Sequence, residues 1–335
     1  YDVSSALPRH QHQVPWSWMK GTRLTLLSMK DPNALATSLA IAALPKEAYE
    51  LGKLFGDGGF KLALVGGSVR DAILGRLSTD LDFTTSATPD QSKKILNSWS
   101  EKLWEVGRDF GTIAAEKNGI TFEVTTYRRE KYDPTSRKPI VEFGTEIETD
   151  LSRRDFTVNA MALELTTDTP TFIDLFDGVN DLAKKILRTP IDAEDLFTED
   201  PLRMMRAARF ISQLEFEVDP AIPAAITKLS SRMEIISAER IHDELIKLLM
   251  GAAPRVGLSL LVDTGLAEYV LPELPKLKLE VDEHHHHKDV YEHTLKVLEQ
   301  AIALEDRLGG PNLIIRLAAL LHDIGKPKDR KSTRL

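Results

Sequence analysis

The chain has 335 residues, 28% of them charged and 42% hydrophobic, with a formal net charge of -8 and no cysteine. That length exceeds one compact core and predicts two or three domains. The lack of cysteine excludes disulfides, thiolate metal sites and a cysteine nucleophile, and fits a reducing compartment, so the cytoplasm is expected. No run reaches the roughly 18 apolar residues of a membrane span, and no secretory signal is expected. The acidic sum argues against nucleic acid as a partner unless basic residues gather on one surface.

In chain order, residues 1–45 are read as an N-terminal arm, containing "HQHQVPWSW", followed by a helix over "LATSLAIAAL". From about 60 to 165, β-branched and aromatic runs alternate with polar breaks in "FKLALVGG", "LDFTT", "GTIAAEKNG" and "ITFEVTTYR", which predicts a mixed α/β region. Asn118-Gly119 marks a tight hairpin turn. After about 180, apolar residues recur every three or four positions in "PLRMMRAARFISQL", "AAITKLSSRMEIISAERIHDELIKLLM" and "RVGLSLLVDTGLAEYVL", the period of helices. The break "LPELPKLKLEVDEHHHHKDV" separates these from a last helical segment ending in "LAALLHDIGKP". The expected division is 1–45, 46–180, 181–270 and 271–335.

The stretch "LALVGGSVRDAILGRLSTDLDFTTSA" concentrates the chemistry. If "KLALV" is a strand and "SVRDAIL" opens a helix, Gly66 and Gly67 form the turn between them, where backbone N–H groups can approach an anion such as phosphate; a plain turn is the alternative. On a strand, Asp80 and Asp82 point to one face while Leu81 points to the other. Two adjacent carboxylates repel unless a cation lies between them, and Mg²⁺, with its preference for oxygen ligands and phosphates, is the economical occupant; a solvated surface strand is the alternative. A two-metal phosphoryl-transfer site wants a third carboxylate on a neighbouring strand, which Glu123 offers, although an ion pair with Arg128 would also explain it.

Two further clusters pair acids with arginines. Arg153, Arg154 and Asp155 precede an apolar run, at the mouth of a buried element. Glu199 and Asp200 precede Pro201 at a helix start, with Arg203 and Arg206 three and six residues after Asp200. A helix cap with an intrahelical ion pair accounts for that spacing, and so does a fixed acceptor and donor pair that reads the edge of a nucleobase.

Together the motifs "GGSVRD…DLD" (66–82), "RRDFTVNA" (153–160), the "D…G" segment from Asp174 to Gly178, "EDPLR" (199–203) and "ERIHDELIKLL" (239–249) resemble the class II tRNA nucleotidyltransferase and poly(A) polymerase family, of the DNA polymerase β-like superfamily. The resemblance implies an α+β head with a mixed sheet, an all-α neck and body, and an α-helical HD-type segment. It implies that Asp80 and Asp82 bind a two-ion Mg²⁺ site with Glu123 as third acid. Gly66, Gly67, Arg70 and Asp71 would hold the triphosphate, and Arg153, Arg154 and Asp155 would bind nucleotide and sense its ribose. Asn159, Arg206 and Arg209 join this nucleotide-binding set. Asp200 and Arg203 would act as a protein template toward CTP and ATP, with tRNA as acceptor and no membrane involved.

Within the family, "VGRDFGTIAAE" is similar to the CCA-adding form rather than to the "GRRFxLxH" of bacterial poly(A) polymerases, and the polar loop "RREKYDPTSRKP" favours complete CCA addition over CC alone. An A-adding enzyme has very similar motifs. "VYEHTLKVL" and "LAALLHDIGKP" look like the start of an HD domain, whose metal ligands would be His293, His322 and Asp323. The fourth ligand of that pattern, a distant Asp, is not found by residue 335, so the segment is read as partial. An HD phosphohydrolase with an RNA-binding upstream domain is therefore the alternative from another class. The run of histidines 284–287 is read as a histidine-rich loop.

Overall fold

The computed structural model describes residues 31–131, 140–144, 146–279 and 290–327. The N-terminal arm, most of the polar loop 128–139 and the histidine run lie outside these residues. The chain divides into two compact units, one made of the residues up to 184 with 188–191, the other of 185–187 with 192 onward.

The first unit opens with helices α1 (Pro32–Ala43) and α2 (Lys46–Asp57). Asp31 caps α1 by accepting from the Ala34 N–H at 3.1 Å, and Pro32 occupies the first turn, where no N–H is needed. Strand β1 (Leu62–Val65) leads into α3 (Gly67–Ile73), followed by β2 (Asp80–Thr85) and α4 (Pro89–Trp99). A capping box of Thr88 and Gln91 starts α4. Then come β3 (Lys102–Trp104), β4 (Thr112–Lys117), β5 (Ile120–Thr126), β6 (Arg128–Lys131), β7 (Ile140–Phe143), α5 (Ile147–Ser152), β8 (Met161–Glu164), β9 (Thr171–Asp174) and α6 (Gly178–Lys184). The expected hairpin is present: Asn118 and Gly119, at φ 52° and 76°, join β4 to β5 with Lys117 paired to Ile120.

Seven strands form one sheet in the order β3-β4-β5-β2-β1-β8-β9. The β2–β5 pair is parallel and the others are antiparallel, so the sheet is mixed as expected. One face buries Leu64, Leu81, Phe83, Phe122 and Val124, with Phe83 stacked on Phe122 and Trp99 of α4 meeting Phe122 edge-on. Each such side chain contributes roughly 1.5–3 kcal/mol. On the other face, α5 covers one end, where Ile147 and Leu151 pack with Ala63, Val65, Tyr127 and Ala162. The rest of that face is left open, and the acidic side chains stand there.

The second unit is helical: α7 (Ala193–Glu199), α8 (Leu202–Leu214), α9 (Ala221–Leu229), α10 (Ala238–Leu249), α11 (Pro254–Asp263), α12 (Ala267–Val270), α13 (Val290–Ala303) and α14 (Leu313–Leu321). Helix α8 is buried along almost its whole length and packs against α10 and α11. Two details differ from the all-helix expectation. A two-residue parallel ladder joins β10 (Ile186–Leu187) to β11 (Glu217–Val218). The long periodic run 224–250 is broken by a 3₁₀ turn at Ser230–Ile235, after which Ser237 caps α10. Apolar spacing continues through the turn because Met233 remains buried there, so periodicity alone does not show the break.

Candidate active site

Gly66 follows β1 with φ 68° and ψ -136°, a region open to glycine and strained for other residues. Ser68, inside α3, accepts the backbone N–H of Asp82 at 3.0 Å and ties the glycine turn to β2. Along β2, Asp80 and Asp82 are exposed while Leu81 is buried, the alternation that the "DLD" spacing predicts. Strand β5 runs parallel to β2 in a register that sets Glu123 opposite Asp82. Three acids therefore share the open face of the sheet.

Glu123 is exposed, between the buried Phe122 and Val124 of β5. Its carboxyl is nevertheless pushed above the usual range, first by partial loss of hydration and then by the negative charges of Asp82 and Asp80. The three carboxylates do not close to the spacing of a gathered ligand group; among the described residues, the group whose ligand atoms all lie within 4.8 Å of one another is His293, His322 and Asp323. An all-oxygen, mutually repelling and solvent-accessible set still fits a hard divalent cation that arrives with a phosphate ligand.

The remaining members of the glycine motif are engaged with one another. Arg70 is buried, donating through Nε and Nη2 to both oxygens of Asp71 at 3.0 and 2.9 Å and through Nη1 to Asn159 Oδ1 at 2.5 Å. Arg76 adds a third donor to Asp71 at 2.9 Å. Burial opposes ionisation of Asp71, yet the charges of Arg70 and Arg76 hold its carboxyl below the usual range. Asn159 in turn donates to Asp155 Oδ1 at 2.9 Å, and the same oxygen accepts the Phe156 N–H at 2.9 Å. Arg70, Asp71, Asn159 and Asp155 thus form a bracing network behind the turn.

Arg153 and Arg154 stand at the rim, each donating to Asp150, a residue outside every sequence motif. A Cβ on Gly66 would lie 2.8 Å from Arg154 Nη1, so this guanidinium rests on the glycine turn. Gly66→Ala is expected to cost about 1 kcal/mol in stability, because it combines a positive φ with displacement of Arg154; thermal unfolding checks it. The "D…G" segment acts locally, with Asp174 accepting from the N–H groups of Gly178 and Val179 at 2.8 and 2.9 Å and so closing the loop before α6.

In the second unit, α8 begins at Leu202, so Asp200 precedes the helix and does not share a helical face with Arg203, as the spacing suggests. Asp200 Oδ1 accepts the Leu202 N–H at 3.1 Å and its Oδ2 lies 3.6 Å from Arg240 Nη2. Arg203 is buried and donates to the Leu196 carbonyl at 3.0 Å and to Glu199 at 3.2 Å. Arg209 is also buried, 3.1 Å from Glu244 Oε1, with Arg206 at 3.9 Å from the same oxygen. Glu244, in the "ERIHDELIKLL" helix, has no identifying feature in the sequence; only packing of α10 on α8 brings it to these arginines.

In the last segment, His322 Nε2 and His293 Nε2 lie 3.2 and 3.9 Å from Asp323 Oδ2, and Lys326 Nζ lies 2.8 Å from that oxygen. His322 Nδ1 faces the Ala319 carbonyl at 2.8 Å, which leaves Nε2 toward the cluster. Among the described residues no helix is long and apolar enough to cross a membrane.

Comparison with known proteins follows the same division. Residues 62–188 match the poly A polymerase head domain, 215–277 the probable RNA and SrmB-binding site of polymerase A, and 290–334 the HD domain. The chain is 42% identical over 225 residues to a CCA-adding enzyme of Ligilactobacillus salivarius, covering 67% of this chain and 54% of that protein. It is 39% identical over 234 residues to a CCA-adding enzyme of Enterococcus faecalis, covering 70% and 55%. The crystal structure of the Bacillus stearothermophilus CCA-adding enzyme in complex with CTP is similar at 34% identity and a TM-score of 0.62, over 82% of this chain and 65% of that one. The chain spans about half the length of the curated relatives it matches. With its motifs in order on a matching head fold, the chain belongs to the tRNA nucleotidyltransferase and poly(A) polymerase family.

Proposed function

We propose that this chain is a template-independent tRNA nucleotidyltransferase that builds CCA at the tRNA 3′ end from CTP and ATP. One observation carries the reading: Asp80, Asp82 and Glu123 share the open face of the parallel β2–β5 pair, with the Gly66 turn fastened to β2 through Ser68. Similarity to CCA-adding enzymes at 42% and 39% identity supports CCA as the product. The compartment we propose is the cytoplasm, in keeping with a chain that has no cysteine.

Nucleotidyltransferases of this kind use divalent metal. Asp80, Asp82 and Glu123 would hold magnesium, which when bound supplies positive charge to the attacking and leaving oxygens of the α-phosphate. The glycine turn and Arg154 receive the triphosphate, and the Arg70–Asp71–Asn159–Asp155 network keeps that turn rigid. Asp200 and Arg203, each braced by neighbours, offer an acceptor and donors to the cytosine or adenine edge, and buried Glu244 steadies Arg206 and Arg209 behind them.

Sequencing the products formed from tRNA lacking its 3′ end, CTP, ATP and magnesium tests this. CCA ends are expected; poly(A), A-only or CC-only ends would reassign the product, and no incorporation would overturn the reading. The acid limb of activity supplies a second check. Because the folded-state pKa of Glu123 is raised, its proton returns earlier as pH falls than for an ordinary glutamate near ~4.3. The folded state binds that proton more tightly than the unfolded one, so Glu123 adds stability in acid and withdraws it as pH rises through its folded pKa. Magnesium should therefore raise the melting temperature at pH 7.5, and by less as the pH falls into the acid range.

The His293, His322 and Asp323 group favours a second reading, in which the HD segment holds a divalent metal and hydrolyses phosphate esters. A metal there would have to displace the Lys326 ammonium from Asp323. Phosphohydrolase activity that survives replacement of Asp80 and Asp82 by Ala would assign it to this segment.

A further inference from the structure

We infer that Asp150 is the positioning residue that sets the two rim arginines against the acidic strand, and so decides where the nucleotide's triphosphate lies relative to Asp82. The inference rests on the nucleotidyltransferase reading above.

Asp150, near the end of α5, is 1% exposed. Its Oδ1 accepts from Arg153 Nη2 at 3.0 Å; its Oδ2 accepts from Arg154 Nη2 at 3.1 Å and from Thr84 Oγ1 at 3.3 Å. The Thr84 hydroxyl also reaches the Thr125 carbonyl at 3.2 Å. Thr84 lies two residues beyond Asp82 on β2, and Thr125 two beyond Glu123 on β5, so both point to the same face as those acids. One buried carboxylate therefore joins the two strands that carry the acids to both guanidinium groups.

The geometry at Arg154 gives the link its function. Asp150 takes the Nη2 end, while Nη1 lies over Gly66, 2.8 Å from where a Cβ would stand, and has no hydrogen-bond partner among the described residues. A guanidinium held at one end by a buried carboxylate presents its other end as a fixed donor, which suits a phosphate oxygen arriving at the glycine turn. Without Asp150 both arginines keep their charge and lose their direction. Long-range attraction for nucleotide would persist, but the directed hydrogen bond to the triphosphate, and the affinity that it supplies, would not.

The test uses the full chain and compares Asp150→Asn, Thr84→Val, Arg154→Ala and the double variant Asp150→Asn with Arg154→Ala, measuring KM for CTP and ATP, kcat and CTP binding by titration. Asp150→Asn is expected to raise KM for both nucleotides about tenfold with kcat changed less than threefold, and Thr84→Val to raise it about threefold. The double variant is expected to fall well short of the sum of the two single effects, because Asp150 acts in large part through Arg154 and otherwise through Arg153. A residue of purely structural importance would lower kcat and the melting temperature together and add its effect to that of Arg154→Ala. Should Asp150→Asn not fold, Thr84→Val, which keeps both ion pairs, decides. An unchanged KM in the folded variants, or additive effects in the double variant, overturns the inference. A wild-type chain that incorporates no nucleotide overturns the function proposed above instead, and the CTP titration then still reports on Asp150.

Discussion

Asp82→Asn should abolish nucleotide addition while leaving the fold intact. The substitution keeps the shape of the side chain, and the backbone N–H that Ser68 accepts is unchanged, so the glycine turn stays fastened to β2. What disappears is one negative charge at the centre of the acidic row, between Asp80 two residues away on the same strand and Glu123 in register on the next. Stabilisation of developing charge by a bound metal is worth several kcal/mol, and about 1.4 kcal/mol changes a rate tenfold, so kcat should fall on the order of 10³-fold for both CTP and ATP. The melting temperature without metal should hold or rise, because the repulsion that lifts the Glu123 carboxyl is relieved. Single-turnover incorporation and thermal unfolding check the two halves. Equal loss for both nucleotides would place Asp82 at the chemistry, whereas selective loss for one would place it at base recognition.

Much of this row is legible in the sequence because its determinants are local. Alternation along a strand is a property of three consecutive residues, so Asp80, Leu81 and Asp82 announce their faces without any knowledge of neighbours. The Asn118-Gly119 turn and the Gly66 break are readable for the same reason, since backbone sterics act within a few residues. The match of Asp82 to Glu123 is not readable in this way. It depends on a parallel pairing across forty residues, and the expectation of a third acid comes from the chemistry of two-metal sites.

Buried charge partners are the main omission. Asp150, Glu244 and Asp181 look like ordinary helical acids in sequence, and each becomes meaningful only when folding delivers arginines to it. The Glu199, Asp200 and Arg203 group shows the same limit at short range. Spacing joins Asp200 to Arg203, but the helix starts two residues after Asp200, which turns that carboxylate toward the Leu202 N–H and Arg240, while Glu199 lies against Arg203. A small shift in where a helix begins is enough to exchange the partners.

The largest stability effect is expected in the second unit, at Arg316. This residue of α14 is 3% exposed; it donates from Nε and Nη2 to the two oxygens of Glu305 at 2.7 and 2.6 Å, and from Nη1 to the carbonyls of Leu249 and Gly251 at 2.5 and 2.7 Å. It thereby satisfies the end of α10 while neutralising a glutamate that is itself only 4% exposed. Arg316→Met keeps much of the volume but leaves Glu305 charged and buried and two carbonyls without their donor. Removing one partner of such a pair costs about 3–5 kcal/mol, a fall in melting temperature on the order of 10 °C. Adding Glu305→Gln should recover part of the loss, though not all, because the Leu249 and Gly251 carbonyls remain unsatisfied. The pH dependence separates charge from packing. Burial opposes ionisation of Glu305, but hydrogen bonds from Arg316 and the Asn312 N–H, with the Arg316 charge, hold its carboxyl below the usual range. In the wild type this adds stability above the unfolded-state pKa of ~4.3 that is lost as pH falls through the lower folded value. With Met at 316 the sign reverses, since protonation then relieves a buried charge. The cost of the substitution should therefore shrink as pH falls from 7 to 4, whereas a loss of packing alone would be independent of pH.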